Sequence, residues 1–290
     1  MEHRDGALDY LAVGHVTLDR QPDGSALPGG TVLFATLQAA RLGLRAGIVT
    51  VGRAADLDAA LAPYREEVTI ALAPAAATTT FINVGLGAAR RQTVPAWAGP
   101  LPRDTLPAAR IVHLAPVARE IEPAHFAALP ADGFLGATPQ GWLRRWGPDG
   151  HVEAVPLDLP AHIFARLDAL VLSEHEQPLA TGAIAAVLAR GGLVAVTRGE
   201  LGCVLLGVAG REAGVAVHAL RCPVVDDTGA GDVFAAAFFI ALHEGQSPVA
   251  AARFANAAAG LSLNGHGVTA IAGRREIKRV VRETYGAVGA

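Results

Sequence analysis

Lysine is almost missing from this chain. Lys278 is the only one, and arginine supplies the rest of the 24 basic residues. A Walker-type phosphate loop needs a lysine directly after its glycines, and no glycine-rich loop here has one. Any phosphate chemistry must therefore work without it. Cysteine is scarce too. Cys203 and Cys222 stand apart with no CxxC spacing, which excludes a zinc ribbon or a thioredoxin-type motif and fits two reduced, packed side chains. Charge of one sign is also missing. A net charge of −3 without any block of like charge leaves no electrostatic footprint for nucleic acid or an anionic membrane. Long apolar runs are absent, and stretches such as Val233 to Leu242 fall far short of the ~20 residues that span a bilayer. The start, Met1 to Tyr10, is polar and lacks the apolar core of a signal peptide. These absences predict a soluble cytoplasmic protein with neither nucleic acid nor membrane as partner.

What the chain does have is apolar bulk. Its 290 residues are 51% hydrophobic and 18% charged, which excludes disorder and suffices for one large α/β domain spanning 1–290. Strand and helix signals alternate. Leu8 to Gly14 reads as a buried strand, Thr31 to Leu42 as a helix capped by Gly43, Arg45 to Val51 as a strand, Ala55 to Leu61 as a helix and Val68 to Leu72 as a strand. That order predicts a parallel sheet with crossover helices. Thr78 to Val94 breaks the rhythm with β-branched and polar residues about Gly85 and Gly87, and reads as a hairpin. With Thr17 to Pro28, where Pro22, Asp23 and Gly24 suggest mainly a turn, it would form a small β lid over one face (about 17–28 and 78–94). The α/β rhythm then resumes to the end, closing with helices over Val233 to Glu244, Pro248 to Leu263 and Arg274 to Tyr285.

The stretch Asp226-Asp227-Thr228-Gly229-Ala230-Gly231-Asp232 precedes the first of these three helices. Small residues let the amides of Gly229, Ala230 and Gly231 converge at the positive end of the helix dipole, a seat for a phosphate-like anion. Asp232 then stands where a base would take a proton from a hydroxyl. Phosphoryl transfer to an alcohol is the chemistry this suits, and an ordinary tight turn entering a core helix is the plainer alternative. A dinucleotide fingerprint fits poorly because Phe234 falls where the third glycine belongs, and no glycine fingerprint follows the first strand either.

Asp227-Thr228-Gly229-Ala230-Gly231-Asp232 resembles the C-terminal signature of the ribokinase-like, or pfkB-type, carbohydrate kinases. Other pieces agree in order along almost the whole chain: Gly14 to Asp19, Gly29-Gly30 with Ala39 to Gly43, Thr197 to Gly202, and Phe254 to Ala259. The resemblance implies a ribokinase-like three-layer sandwich with a mostly parallel sheet and a small β lid, and an ATP-dependent kinase acting on a small sugar or polyol. It casts Asp232 as base and the amides of Gly229, Ala230 and Gly231 as the anion hole. Asp19, Gly29, Gly30, Asn83 and Gln140 would meet the acceptor, and Thr197, Gly199, Gly202 and Asn256 would form the nucleotide side. Glu176 and Asp227 would lie toward Mg2+. A monovalent cation such as K+ would sit near Asp227, Thr228 and the Asn264 to Gly267 segment. Either a monomer or a homodimer is compatible.

Two departures matter. Where many of these sugar kinases carry an asparagine after the glycine pair, this chain has Phe34, so a polar grip becomes an apolar wall. Their N-x-x-E motif appears as Ser173-Glu174-His175-Glu176. The Gly14 to Asp19 and Gly29 to Phe34 stretches are similar to a branch that includes inositol kinases, which makes myo-inositol a candidate acceptor. The altered hinge and Ser173 keep a second reading open: a catalytically silent sugar- or nucleotide-binding regulator on the same fold. The intact Asp232 loop weighs against it.

Overall fold

In the computed structural model, described for residues 7–84, 91–103 and 106–286, apolar β-branched runs stack into one large sheet. Chain order gives β1 (Leu8–Val13), β2 (Thr17–Arg20), β3 (Ala26–Gly29), α1 (Thr31–Arg41), β4 (Ala46–Gly52), α2 (Ala54–Leu61), β5 (Thr69–Pro74), β6 (Thr80–Val84) and β7 (Arg91–Ala96). Then come β8 (Ala109–Leu114), β9 (Phe134–Ala137), β10 (Arg144–Trp146), β11 (Val152–Ala154), β12 (Ala169–Ser173), α3 (Thr181–Ala189), β13 (Leu193–Thr197), β14 (Cys203–Leu206) and β15 (Val215–Val217). Helices α4 (Ala230–His243), α5 (Pro248–Ser262) and α6 (Arg274–Tyr285) close the chain.

Nine strands form the large sheet in the order β15-β14-β13-β12-β9-β8-β1-β4-β5. The pairs from β5 to β13 are parallel and only β13-β14-β15 run antiparallel. One apolar layer lies under α1, α4 and α5, with Phe234, Phe238 and Phe239 at its centre. The other lies under α3 and short 3-10 turns, around Trp142 and Phe164. Chain order runs outward from β1 to β4 and β5 on one side, then from β8 to β13 on the other. The reversal leaves a crevice at the carboxyl ends of β1 and β8, where open α/β sheets bind ligands.

A four-stranded sheet, β3-β2-β6-β7, sits apart from the large one. The segment 17–28, expected to add a short strand to the lid with mainly a turn about Pro22 to Gly24, forms a full hairpin in which Thr17 pairs with Gly29 and Arg20 with Ala26. Pro22 to Gly24 only make its tip, and β2 is held as a strand by β6 on its other side. Gly85, Gly87 and Arg90 of the expected second hairpin lie outside the described residues. The short hairpin β10–β11 was not foreseen. It touches β7 through a Thr93–His151 bridge and through the Val94 amide, which donates to the Gly150 carbonyl at 2.8 Å. Helix α4 also begins earlier than Val233, because the expected loop residues Ala230 to Asp232 form its first turn.

Gly136 in β9 faces the Phe239 ring of α4, and a Cβ there would lie 2.6 Å from ring carbons. We expect Gly136→Ala to destabilise the fold by about 1–3 kcal/mol through overpacking, read from urea unfolding at unchanged m-value.

Candidate active site

The candidate residues follow the carboxyl ends of sheet strands: Asp19 after β1, Gln140 after β9, Glu176 after β12 and Gly199 after β13. Helix α4 is set over the same edge. Its N-cap, Gly229, has φ 77° and is packed against Phe34, so a Cβ would fall 2.1 Å from the Phe34 ring. Only glycine fits there. The first intrahelical bond runs from the Val233 amide to the Gly229 carbonyl at 2.9 Å. The amides of Ala230, Gly231 and Asp232 therefore lead the helix, the place where helical N–H groups lack helical partners. Ala230 makes only a long bond, 3.4 Å, to the Asp227 carbonyl.

Three cavities border this turn, and two of them reach Gly229 to Asp232. The smaller, about 100 Å³, is lined by Thr17, Asp19, Gly30, Thr31, Phe34 and Asp232 among others, and also by Asn83 and Gln140. The larger, about 870 Å³, is lined by Thr197, Gly199, Gly202, Asp227, Ala230, Gly231 and Asn256, with Leu201 and Val224 at its sides. Within one turn of chain, Gly229 and Asp232 face the first and Ala230 and Gly231 the second.

In the small cavity the Thr17 hydroxyl donates to Asp19 Oδ1 at 3.2 Å. Gly29 lets β3 close on that pair, since a Cβ would lie 3.1 Å from Asp19 Oδ2. Gly30 has φ 91°, and a Cβ there would strike the His15 carbonyl at 2.4 Å. Asn83 Oδ1 accepts from Gln92 Nε2 at 2.8 Å. Asp232 is part-buried at the cavity floor. Burial pushes its carboxyl up to about 6, aided by the nearby Glu176 charge, while the Thr31 hydroxyl and the Arg144 guanidinium pull it down. A carboxyl tuned to that value is half-ionised near pH 6 and ionised at neutral pH, as a general base requires.

Around the large cleft, Asn256 is nearly buried, and its amide donates to the carbonyls of Val217 and His218, both at 3.1 Å. Its side chain thus ties α5 to the end of β15 while its surface lines the cleft. Gly202 has φ 92°, and a Cβ would meet the Val217 carbonyl at 2.1 Å, so glycine is required where β14 turns beside β15.

Among the described residues, no three or more His, Cys, Asp or Glu side chains are grouped to hold a metal. Glu176 Oε2 accepts from the Ser173 amide at 2.8 Å and the Ser173 hydroxyl at 2.9 Å. The serine in place of asparagine therefore fastens the acid to its own turn. Mg2+ binds through one or two carboxylates, phosphate oxygens and retained waters, and the carboxylates of Glu176 and exposed Asp227 are of the chemical type that mode uses. Asp226 accepts from the Thr228 amide at 2.9 Å and the Gly267 amide at 2.8 Å. It cross-links the two loops between which the monovalent cation was expected.

The sequence reading passed over Arg144 and Gln92. Both line the small cavity. Arg144 donates from Nη1 to the Val117 carbonyl at 2.8 Å and from Nη2 to Gln92 Oε1 at 3.0 Å, and its guanidinium lies 5.3 Å from the Phe81 ring centre. An arginine directly after the Gln140 segment was the available signal, in a chain that uses arginine for nearly every positive charge.

The family model for pfkB family carbohydrate kinases matches residues 64–272. No curated protein sequence matches the chain. Among solved structures it is similar to a pyrophosphate-dependent kinase in the ribokinase family, complexed with a pyrophosphate analog and myo-inositol. That pair aligns at a TM-score of 0.76 and 19% identity, covering 93% of this chain and 99% of the other. A ribokinase from Thermotoga maritima aligns at 0.71 and 21%, covering 95% and 99%. A fructokinase from Vibrio cholerae, bound to fructose, ADP and calcium, aligns at 0.69 and 18%, covering 94% and 99%. At these identities the likeness speaks for the fold, which is the ribokinase-like α/β fold implied by the motifs.

A raised native carboxyl binds its proton more tightly than the unfolded chain does. Protonation of Asp232 therefore supports the fold below about pH 6, and the ionised form weighs against it above. We expect Asp232→Asn to melt higher than the wild type at pH 7.5, with the gap closing as pH falls through 6. A gap independent of pH in thermal melts would contradict a desolvated carboxyl.

Proposed function

The chain belongs to the pfkB family of carbohydrate kinases, and from that premise we propose that it moves the γ-phosphoryl group of ATP to a hydroxyl of a small sugar or polyol, with myo-inositol the leading candidate. The observation that carries this reading is the shared wall: the turn from Asp227 to Asp232 borders the small cavity on one side and the large cleft on the other. An acceptor in the first and a donor in the second would be separated by little more than one backbone.

Asp232 would take the acceptor proton as the new O–P bond forms and the bond to the ADP oxygen breaks. The amides at the start of α4 would meet the charge on the migrating group, which is where such transfers gain most. Bound Mg2+ would supply further charge neutralisation at the donor phosphates, with Glu176 and Asp227 reaching it directly or through its waters. Asp19 would accept from acceptor hydroxyls, and Phe34 would give the ring an apolar face. The small sheet β3-β2-β6-β7 would act as a lid that excludes water.

The donor choice rests on the large cleft. Leu201 and Val224 flank it with 60% and 64% of their surface exposed. Pyrophosphate has no use for an apolar slot, whereas a purine does. A role for K+ would have to coexist with the Asp226 cross-link between the two loops.

The test is phosphate transfer with ATP or pyrophosphate as donor and an acceptor panel of inositols, ribose, fructose, 2-keto-3-deoxygluconate and nucleosides. The expected result is ATP-dependent turnover with an inositol preferred. Preference for a ketose or nucleoside rejects the inositol assignment, and preference for pyrophosphate rejects the donor. Asp232→Asn should lower kcat by roughly two to four decades while retaining ATP binding. A silent regulator would bind ligand and turn over nothing.

A further inference from the structure

Arg144 is a cation set into the wall of a cavity that also holds two acids, Asp19 and Asp232. Its seat is built from both parts of the molecule. The Val117 carbonyl belongs to the loop after β8. Phe81 and Gln92 belong to β6 and β7 of the small sheet. Gln92 passes the tie on to Asn83 through a 2.8 Å bond, and Arg119 Nη1 donates to the Arg144 carbonyl at 3.3 Å. In a cavity of only about 100 Å³, an acceptor that touches Asp232 also lies within reach of this guanidinium.

We propose that Arg144 is a positioning residue for the reaction: held by the small sheet, it places a fixed positive charge opposite Asp232, so that closing that sheet over the acceptor also completes the electrostatics of the base. The inference rests on the kinase reading above. Proton removal moves one negative charge from Asp232 to the acceptor oxygen without changing the total. A fixed cation beside both sites keeps the base ionised before transfer and holds the nascent alkoxide afterwards. Among the described residues, the groups facing Asp232 are Thr31 from α1, Tyr10 from β1, Asp19 from β2, Arg144 from β10 and Glu176 from the turn after β12. Arg144 is the one cation in that set. Tyr10 is neutral and lies beneath, its hydroxyl 2.7 Å from His113 Nδ1.

The test compares pH profiles of kcat/KM for the wild type, Arg144→Met, Arg144→Lys, Gln92→Leu and Glu176→Gln. The wild-type acid limb should fall near pH 6. Arg144→Met should raise it by about one unit, as expected on losing an opposite charge at close range, with a loss of about fivefold at pH 6 that narrows by pH 8. Arg144→Lys should restore the limb in part. Gln92→Leu, which keeps the charge but loosens its seat, should move it the same way by less, and Glu176→Gln should move it down. The Asp232 carboxylate band, isolated by infrared difference against Asp232→Asn, reads the same shift without turnover. A loss equal at every pH, with the band unmoved, assigns Arg144 to packing alone and overturns the inference while leaving the kinase reading intact. If Arg144→Met does not fold, Gln92→Leu decides: an unmoved limb overturns it. A wild type with no transfer to any acceptor ends both.

Discussion

Helix α4 has no polar face. Val233 through Ala241 are all buried, so its first turn cannot shift without disturbing the layer that contains Phe234, Phe238 and Phe239. Phe34 fixes the turn from the other side by resting on Gly229, and α1 is in turn held to the C-terminal region by Gln38, whose amide donates to the Ala272 carbonyl at 3.2 Å. Amides that must face a migrating charge are most effective when they do not have to reorganise. On the proposed reading the hydrophobic core would supply that stiffness, and an apolar wall at Phe34 would have this second use.

The small sheet is joined to the large one by chain crossings that are themselves pinned. Glu120, fully buried, accepts from the amides of His15, Val117 and Ala118 at 2.7–3.1 Å. His15 Nδ1 meets the Thr79 hydroxyl at 2.8 Å, and that hydroxyl oxygen also accepts from the Ala98 amide at 3.0 Å. One buried carboxylate and one buried imidazole thus gather the strand β1 exit, the β6 entry and the β7 exit. Hairpin β10–β11 adds a second point of attachment through Gly150 and Arg144.

The large sheet was legible because its strands are short apolar runs bounded by glycine or charge, and such runs need only their own composition to be read. The position of the glycine-rich turn was legible for a related reason: small residues before an all-apolar helix mark where the chain must enter it. The hairpin β10–β11 was not, since Arg144-Arg145-Trp146 has no alternating pattern and its pairing depends on Val152 to Ala154 and on Thr93. The extent of strand in 17–28 was only partly legible behind Pro22, Asp23 and Gly24, because β2 owes its extended form to β6, some sixty residues away in sequence. The same distance hid Arg144, whose setting needs Phe81, Gln92 and Val117 brought together. Asn256 shows the converse. Its position beside the cleft was legible, but the commitment of its amide to Val217 and His218 was not, because β15 precedes it by nearly forty residues.

A partition one backbone thick has a consequence for how such a protein diversifies. On the proposed reading, a backbone change within Thr228 to Asp232 would alter both compartments together, so selection for a new acceptor there would disturb the donor as well. On that reading variation would be absorbed at the far ends, such as Asn83 and Gln92 in the small sheet for one ligand, and Leu201 and Val224 for the other. Descendants of this architecture would then keep the dividing turn nearly constant while their two outer rims drift independently, each free to exchange its ligand without renegotiating the chemistry between them.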